Sequence, residues 1–318
     1  MEAPPTNNTM EKISNDGLRH TWASYFLFIV MSSVIGDSTI LIATIRYRAF
    51  KLHKLSVGVI QHIAACDIMV SVCLIPRIVA LVADGWVVDE WMCYLSAYSL
   101  YYFMTSSSFL ISMMTASKLF IVKFPMRAMT FRNIRVHVWC AIIWAFVMVL
   151  PVTFLIVGGV DVLFSFKLYN CDFNVTKDGW SAWGWLEPLL TVVFVLFPNV
   201  LVLVCTALLI KEATNITRRS AVRTTLKWQG LTTTILIATA YCISLLPYCI
   251  YRLLAPHVPD SLGSVFHHQF MRFAKSILYL NTISNFYIYC LTVTSFREFL
   301  LKKINVSCQN LTITPRKG

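Results

Sequence analysis

Long apolar segments alternate with short polar connections along most of this chain. Each segment exceeds the roughly 20 residues that cross a hydrocarbon core of about 30 Å as a helix. Continuous apolar runs exclude the alternating pattern of a transmembrane barrel strand, and only helices and closed barrels satisfy their backbone polar groups in lipid. The pattern therefore predicts seven transmembrane helices, at 24–45, 56–83, 92–122, 136–158, 187–210, 229–254 and 268–292.

The predicted fold is an all-α membrane protein, a seven-transmembrane helix bundle with a short amphipathic eighth helix. Connections are short apart from 159–186, so the helices are expected to pack as one domain. After the last span, Phe296 and Phe299 share one helix face and Lys302 and Lys303 lie elsewhere, which is typical of a helix at the membrane surface. The predicted divisions are an extracellular amino terminus at 1–23, the bundle at 24–293, and the amphipathic helix with a cytoplasmic tail at 294–318.

Composition and charge agree with a membrane protein. The chain has 57% hydrophobic and 13% charged residues, whereas soluble domains have about 25% charged residues. The net charge of +12 concentrates in alternate connections, and the acidic residues lie mostly in the others. This is the distribution of the positive-inside rule, and a nucleic-acid-binding surface has no reason to alternate in this way. The basic segments, predicted to be cytoplasmic, are 46–54, 118–135, 211–227 and the tail from 297.

Several residues outside the spans are candidates for covalent modification. No apolar core follows a basic start, so we expect no cleaved signal peptide. Asn7 and Asn174 begin glycosylation acceptor patterns on the predicted outer side. Cys93 and Cys171 lie on that side too, where an oxidising compartment permits them to pair, and Cys308 in the tail is a palmitoylation candidate.

Polar residues inside the predicted spans are energetically costly in hydrocarbon, so each of them indicates a structural or functional role. Asp37 and Asp67 are acids at mid-depth, while Ser107, Asn281 and Asn285 fall at a comparable depth in other spans. Two interpretations are open: a site for a monovalent cation such as sodium at Asp67, or a structural hydrogen-bonded network in which Asp67 is protonated.

A second group of candidate residues is basic and lies toward the predicted outer ends of the spans. Prolines interrupt four spans near their outer halves, and helix bends at such positions open space between helices. Basic residues and tyrosines near these bends favour a ligand that carries a carboxylate or phosphate. The alternative for any one basic residue is snorkelling to lipid headgroups. The candidate ligand-binding residues are Arg77, Tyr101, Tyr248, Arg252, Arg272, Lys275 and Tyr279.

Signature spacings give the chain a family resemblance over about 24–304. Ile63-Ala64-Ala65-Cys66-Asp67 resembles a second-span signature, and Cys93 precedes Lys118 by 25 residues. Together with Trp144, Pro198, Pro247 and the run from Asn285 to Tyr289, these positions resemble the rhodopsin-like (class A) G-protein-coupled receptors. The resemblance implies a Cys93–Cys171 disulfide, an outer ligand and an inner G protein.

The departures from that family lie in parts that the resemblance assigns to activation. The chain reads Ser117-Lys118-Leu119 where the family has Asp-Arg-Tyr, so Lys118 has no adjacent acid. Lysine is a point charge and cannot copy the bidentate contacts of arginine. Asp37 replaces the first-span asparagine, Leu245 the aromatic residue before Pro247, and Phe286 the seventh-span proline, although Tyr289 remains.

The same resemblance excludes several classes of ligand. The aspartate of amine receptors would fall at Leu100, and the retinal-bearing lysine of opsins at Tyr279, so neither a bioamine nor retinal is expected. Short outer connections disfavour a large glycoprotein hormone. A peptide, an acidic lipid or another small anion is left, with a sodium ion as the one expected cofactor.

The predicted function is that of a plasma-membrane receptor that transmits binding of an outer ligand to an intracellular G protein. Its basic inner loops would meet the G protein or anionic lipids, and receptor oligomers are a further expected partner. Two alternatives stay open: a non-signalling or constitutively active receptor-like partner, and an ion transporter that uses Asp37 and Asp67. No enzymatic activity is expected, because the chain has no phosphate loop and no catalytic or metal-ligand spacing.

Overall fold

Helices follow one another in chain order in this computed structural model, as the hydrophobic pattern predicts. The structure describes residues 7–46, 54–129, 133–157, 160–165, 169–175, 189, 192–219, 225–254 and 264–312. Within them, side chains are described at 18–46, 56–127, 135–149, 152–153, 162, 164–165, 169–171, 189, 192–214, 230–250 and 269–303.

The seven spans correspond to the longer helices. Helices α2 and α3 form the second span, α4 the third and α6 the fourth. A π-helical turn at Val192–Leu196 and α7 form the fifth span, α8 the sixth and α9 the seventh. The helices are α1 (Asn7–Ile45), α2 (Lys54–Cys73), α3 (Ile75–Ala83), α4 (Glu90–Lys123), α5 (Pro125–Met129), α6 (Asn133–Val157), α7 (Phe197–Arg219), α8 (Thr225–Leu254), α9 (Ser264–Thr292) and α10 (Thr294–Thr312).

The third span lies at the centre of the bundle. It contacts the second, fourth, fifth and sixth spans, whereas the first span packs against the second and seventh. Within the described residues, five helical stretches are long and apolar enough to cross a membrane, and the fourth span contributes a shorter apolar stretch, Arg135–Val149. The five stretches are Leu18–Ile45, Ser56–Ala83, Glu90–Lys123, Val192–Thr214 and Gly230–Ile250.

Prolines shape the helices around the centre of the bundle. The helix of the second span is interrupted at Leu74, between α2 and α3, and Pro76 lies in the first turn of α3. Pro198 follows the π-helical turn, and Pro247 lies inside α8. The Oγ of Ser112 on the third span donates a hydrogen bond of 2.9 Å to the carbonyl oxygen of Pro198. The proline region of the fifth span is thereby held against the central helix.

Three features differ from the sequence prediction. Helix α1 begins at Asn7, well before the predicted start of the first span, and α10 continues to Thr312. The connection after the fourth span contains an antiparallel hairpin of β1 (Val160–Ser165) and β2 (Asn170–Val175), which the all-α prediction missed. The helical membrane bundle itself is confirmed, with the hairpin as an addition to it.

Gly36 allows the first and seventh spans to pack closely. A Cβ atom at this position would lie 2.7 Å from Cγ of Phe286, which is too close for two carbon atoms. We therefore expect Gly36→Ala to lower the free energy of unfolding by about 1–3 kcal/mol, the usual cost of overpacking. The measurement is the thermal unfolding midpoint of the purified protein in detergent. Phe286→Ala in the same chain removes the Cγ atom and should recover part of the loss, and a purely additive result would contradict the assigned contact.

Candidate functional site

A cavity of about 100 Å³ lies between the second, third, fifth, sixth and seventh spans. We call the end of the bundle that carries the hairpin the outer end, and the end that carries the basic connections the inner end. The cavity extends from Cys171 of the hairpin to Asp67 at its floor. Its wall is mostly apolar and aromatic, with Leu100, Met104, Phe194, Leu245 and Leu278 among the lining residues. Such a mixture of apolar wall and few polar groups is typical of a small-molecule site.

The hairpin covers the outer end of this cavity. A disulfide joins Cys171 of β2 to Cys93 in the first turn of α4, with the two Cα atoms 5.5 Å apart, which confirms the predicted pairing. Asn170 and Cys171 line the cavity, and both are buried. Trp86 packs on Phe164 of β1 with ring centroids 5.5 Å apart. The lid is therefore fixed covalently and by aromatic packing.

Three residues form an outer cluster that also holds the lid. Oδ1 of Asp84 lies 2.7 Å from a guanidinium nitrogen of Arg19 and accepts a hydrogen bond of 2.6 Å from the Tyr169 hydroxyl. Asp84 and Tyr169 both have positive φ values, 59° and 48°. Burial and the bond to Asp84 raise the pKa of Tyr169, so its hydroxyl keeps its hydrogen at neutral pH. The cluster joins α1, the outer end of the second span and the hairpin.

Four of the predicted ligand-binding residues line the cavity: Tyr101, Tyr248, Lys275 and Tyr279. The hydroxyl oxygens of Tyr101 and Tyr248 are 3.4 Å apart, across the third and sixth spans. Lys275 is 7% exposed and lines the cavity from the seventh span. Among the described residues that line the cavity, Asp67 at the floor is the one carboxylic acid. The outer part of the lining thus contains a basic side chain and two tyrosine hydroxyls.

The structure places two of the three predicted arginines, Arg77 and Arg272, away from the cavity. Arg77 is buried in the interface of the first, second and seventh spans, where its guanidinium carbon lies 4.2 Å from the ring centroid of Phe26 and 5.8 Å from that of Tyr279. Arg77 does not line the cavity. Its guanidinium therefore contacts Tyr279 from the interface between the spans and not from the cavity side. Arg272 is half-buried near Tyr169 and does not line the cavity. The side chain of Arg252 lies outside the described residues.

The floor of the cavity is a buried polar network around Asp67. Its carboxylate accepts hydrogen bonds from Nδ2 of Asn285 at 2.8 Å and from Oγ of Ser107 at 3.3 Å. Ser33 donates a hydrogen bond of 2.8 Å to Asp37 and lies 3.4 Å from the carbonyl oxygen of Asp67. The structure thus brings together four of the five residues predicted for this network, and Asn281 lines the cavity beside them.

Several oxygen atoms in this network have no donor among the described residues. They are Oδ1 of Asp37, Oδ1 of Asn281 and Oδ1 of Asn285, and all three atoms are buried. Buried acceptors normally have a partner, so their presence indicates a cation, a proton or water at this place. Carboxylate, hydroxyl and amide oxygens are ligands for a hard cation, so the residues present fit a sodium ion held by Asp67, Ser107 and Asn281.

The inner end of the third span carries the departures noted in the sequence. The Ser117 hydroxyl donates to the carbonyl oxygen of Met114 at 2.8 Å, so it caps its own helix turn. Lys118 is 8% exposed and makes no ion pair with any residue whose side chain is described. The sixth and seventh spans are joined nearby by a hydrogen bond of 2.8 Å from Thr233 to Thr292, which sequence reasoning missed.

Two other activation candidates lie within the bundle. Tyr289 is 2% exposed and interacts electrostatically with Asp37 and Asp67. Pro247 bends α8 one residue from the cavity-lining Tyr248. The modification candidates cannot be placed in the same way, because the side chains of Asn7, Asn174 and Cys308 lie outside the described residues.

Consecutive helical spans around a mostly apolar cavity with a polar floor form a helical membrane bundle, and the comparisons with known proteins identify its family. A family model described as "7 transmembrane receptor (rhodopsin family)" matches residues 36–289. The chain is also similar to the crystal structure of squid rhodopsin, with a TM-score of 0.75 and 14% sequence identity over 95% of this chain and 82% of that chain. The chain belongs to the rhodopsin family of seven-transmembrane receptors, the class A G-protein-coupled receptors. It is a multi-pass membrane receptor and not an enzyme.

Proposed function

We propose that this receptor binds a small anionic or lipid-like molecule in the cavity beneath the hairpin and transmits that binding to an intracellular G protein. The amino terminus and the hairpin face the outside of the plasma membrane in this proposal. The observation that carries it is the cavity itself, which connects the basic side chain of Lys275 in its outer part with the buried network at Asp67.

The lining of the cavity supports an anionic ligand. Lys275 supplies a basic group, and the hydroxyls of Tyr101 and Tyr248 supply hydrogen-bond donors in the outer part of the cavity, with Tyr241 about two helix turns deeper. The apolar wall formed by Leu100 and its neighbours suits an aliphatic or aromatic body. A peptide ligand would place its terminal carboxylate at Lys275.

Replacing Lys275 by alanine is expected to weaken an anionic agonist by about 1–3 kcal/mol, because one charge-assisted bond is lost. The agonist is found with a ligand screen that uses a readout independent of G proteins, such as the thermal unfolding midpoint. Potency is then compared between the wild-type receptor, Lys275→Ala and Lys275→Arg, which retains the charge. Unchanged potency in Lys275→Ala would reject the proposed role of this lysine.

The inner face supports coupling to a G protein. Arg127 and Arg135 are exposed beside the inner ends of the third and fourth spans, where an acidic surface of a partner or the anionic leaflet can reach them. The Thr233–Thr292 bond holds the inner ends of the sixth and seventh spans together. Ligand binding would act by shifting the population from this closed arrangement to an open one.

The absence of an acidic partner for Lys118 among the described residues favours a second candidate function. A receptor without a resting ion pair at this position has less to hold it inactive, so it would be constitutively active or would act as a non-signalling partner of another receptor. Ligand-independent nucleotide exchange on purified G proteins separates these cases. High basal exchange supports constitutive activity, and no exchange with any G-protein type supports the non-signalling role.

A further inference from the structure

Two histidines meet on the outside of the bundle between the second and fourth spans, toward its inner end. Nε2 of His62 on α2 lies 3.1 Å from Nδ1 of His137 on α6, and their ring centroids are 5.3 Å apart. His62 is half-buried and His137 is exposed. We propose that this pair is a binding site for a divalent transition-metal ion of the zinc type, which would link the two spans.

The distance between the two nitrogens fits this chemistry. Zinc binds imidazole nitrogen at about 2.0–2.1 Å, so two tetrahedral nitrogen ligands lie about 3.3–3.4 Å apart. The nitrogens of His62 and His137 therefore need to separate by only roughly 0.2–0.3 Å. The hydrogen that the two rings share moves through solvent to the other nitrogen of its own ring. Both imidazoles stay neutral and each offers a lone pair to the metal.

Packing holds both rings in place before a metal arrives. Gly58 on α2 faces α6, where a Cβ atom would lie 2.9 Å from Cγ1 of Val136 and 3.7 Å from Cε1 of His137. The missing side chain thus lets the fourth span approach the second span at the level of the pair. The ring of His62 also packs edge-on against Trp144, with centroids 6.2 Å apart. A site on two rigid helices needs little ordering on binding.

The surroundings decide which ion is bound and how tightly. His137 lies two residues from exposed Arg135, near the basic end of the bundle, where water can complete the coordination shell. Among the described residues no group of three or more His, Cys, Asp or Glu side chains is arranged to hold a metal, so the two imidazoles are the ligands offered by that part of the chain. Imidazole selects zinc, nickel and copper over magnesium and calcium. A two-ligand site binds reversibly rather than as a permanent structural centre.

The test uses the full-length receptor, purified in detergent with a tag that contains no histidine. Zinc or nickel ions should raise its thermal unfolding midpoint by at least about 2 °C, and magnesium should not, because only ions that bind the folded state stabilise it. His62→Gln and His137→Gln should each remove this rise. His20→Gln, which changes an exposed histidine on α1, should retain it.

Equilibrium dialysis supplies a second measurement that does not depend on signalling. The wild-type receptor should bind one more zinc ion per chain than His62→Gln or His137→Gln, and asparagine variants replace the glutamine variants if these fail to fold. The proposal is overturned if the wild-type receptor shows neither a rise in midpoint nor bound zinc, or if both effects persist in the two variants. None of these outcomes depends on the proposed ligand or G protein.

Discussion

Replacing Asp67 by asparagine is expected to abolish any stabilisation of the receptor by sodium. Asp67 is 1% exposed, it lies at the floor of the cavity, and its neighbours Ser107 and Asn281 offer further oxygen atoms there. The asparagine side chain keeps the size and the hydrogen-bonding ability but loses the negative charge that attracts a cation. The expected loss is the full binding contribution of the ion, about 1–3 kcal/mol at saturating sodium.

The measurement compares thermal unfolding midpoints in sodium chloride and potassium chloride at equal ionic strength. Asp37→Asn is the matched variant, because it removes the other buried carboxylate of the network without touching the lining of the cavity. We expect Asp37→Asn to keep a sodium effect. A sodium effect that survives in Asp67→Asn would refute the cation site. A wild-type receptor that ignores sodium would favour the hydrogen-bonded network with a protonated carboxylate.

Replacing Lys118 by arginine, in the variant Lys118→Arg, is expected to raise ligand-independent G-protein activation by about tenfold. Adding the neighbouring acid as well, in Ser117→Asp/Lys118→Arg, supplies a resting ion pair and should lower this basal activation again. Lys118 is nearly buried at the inner end of the third span and offers a point charge. Arginine at that place presents a planar fork that forms two hydrogen bonds with a docking partner, and one extra charge-assisted bond corresponds to about tenfold or more. The measurement is nucleotide exchange on purified G proteins of several types.

Two single variants make this experiment interpretable. Lys118→Arg separates the effect of the guanidinium from that of the added acid, and Lys118→Ala should reduce any basal exchange of the wild-type receptor. Equal exchange in the wild-type receptor and Lys118→Arg would show that the lysine is not what limits coupling. No exchange in either form, across all G-protein types, would contradict the signalling function and favour the non-signalling partner.

The bundle could be predicted from the sequence because its physical cause is local. Each span is a run of apolar residues, and the boundaries follow from charge, so segments such as 92–122 and α4 agree closely. The disulfide is predictable because Cys93 lies at the outer end of the third span, Cys171 lies in an outer connection, and the spacings fit the family. The sequence predicts that Asp67, Ser107 and Asn285 lie at one depth in the membrane. Polar groups at one depth in hydrocarbon form hydrogen bonds with one another because no water is available there, and the structure contains these bonds.

Some features could not be predicted from the sequence, because they depend on the rotation of a helix about its axis or on contacts between segments that are distant in the chain. Arg77 directly follows Pro76, but a step of one residue turns the helix by about 100°, and this is enough to move a side chain from the cavity to a neighbouring interface. The His62–His137 pair joins residues 75 positions apart, and neither residue has a local signal. Alternating residues of the hairpin did carry a strand signal, which the long polar connection obscured.

The outer cluster of Arg19, Asp84 and Tyr169 has a kinetic consequence for a ligand that comes from water. Where entry requires the cluster to open, the association rate of such a ligand is reduced by the fraction of time that the cluster is open. The same barrier slows departure, so long residence times do not require high affinity. A bilayer-dissolved ligand that entered between helices would avoid this delay, and the two routes would therefore differ in rate while sharing one equilibrium constant.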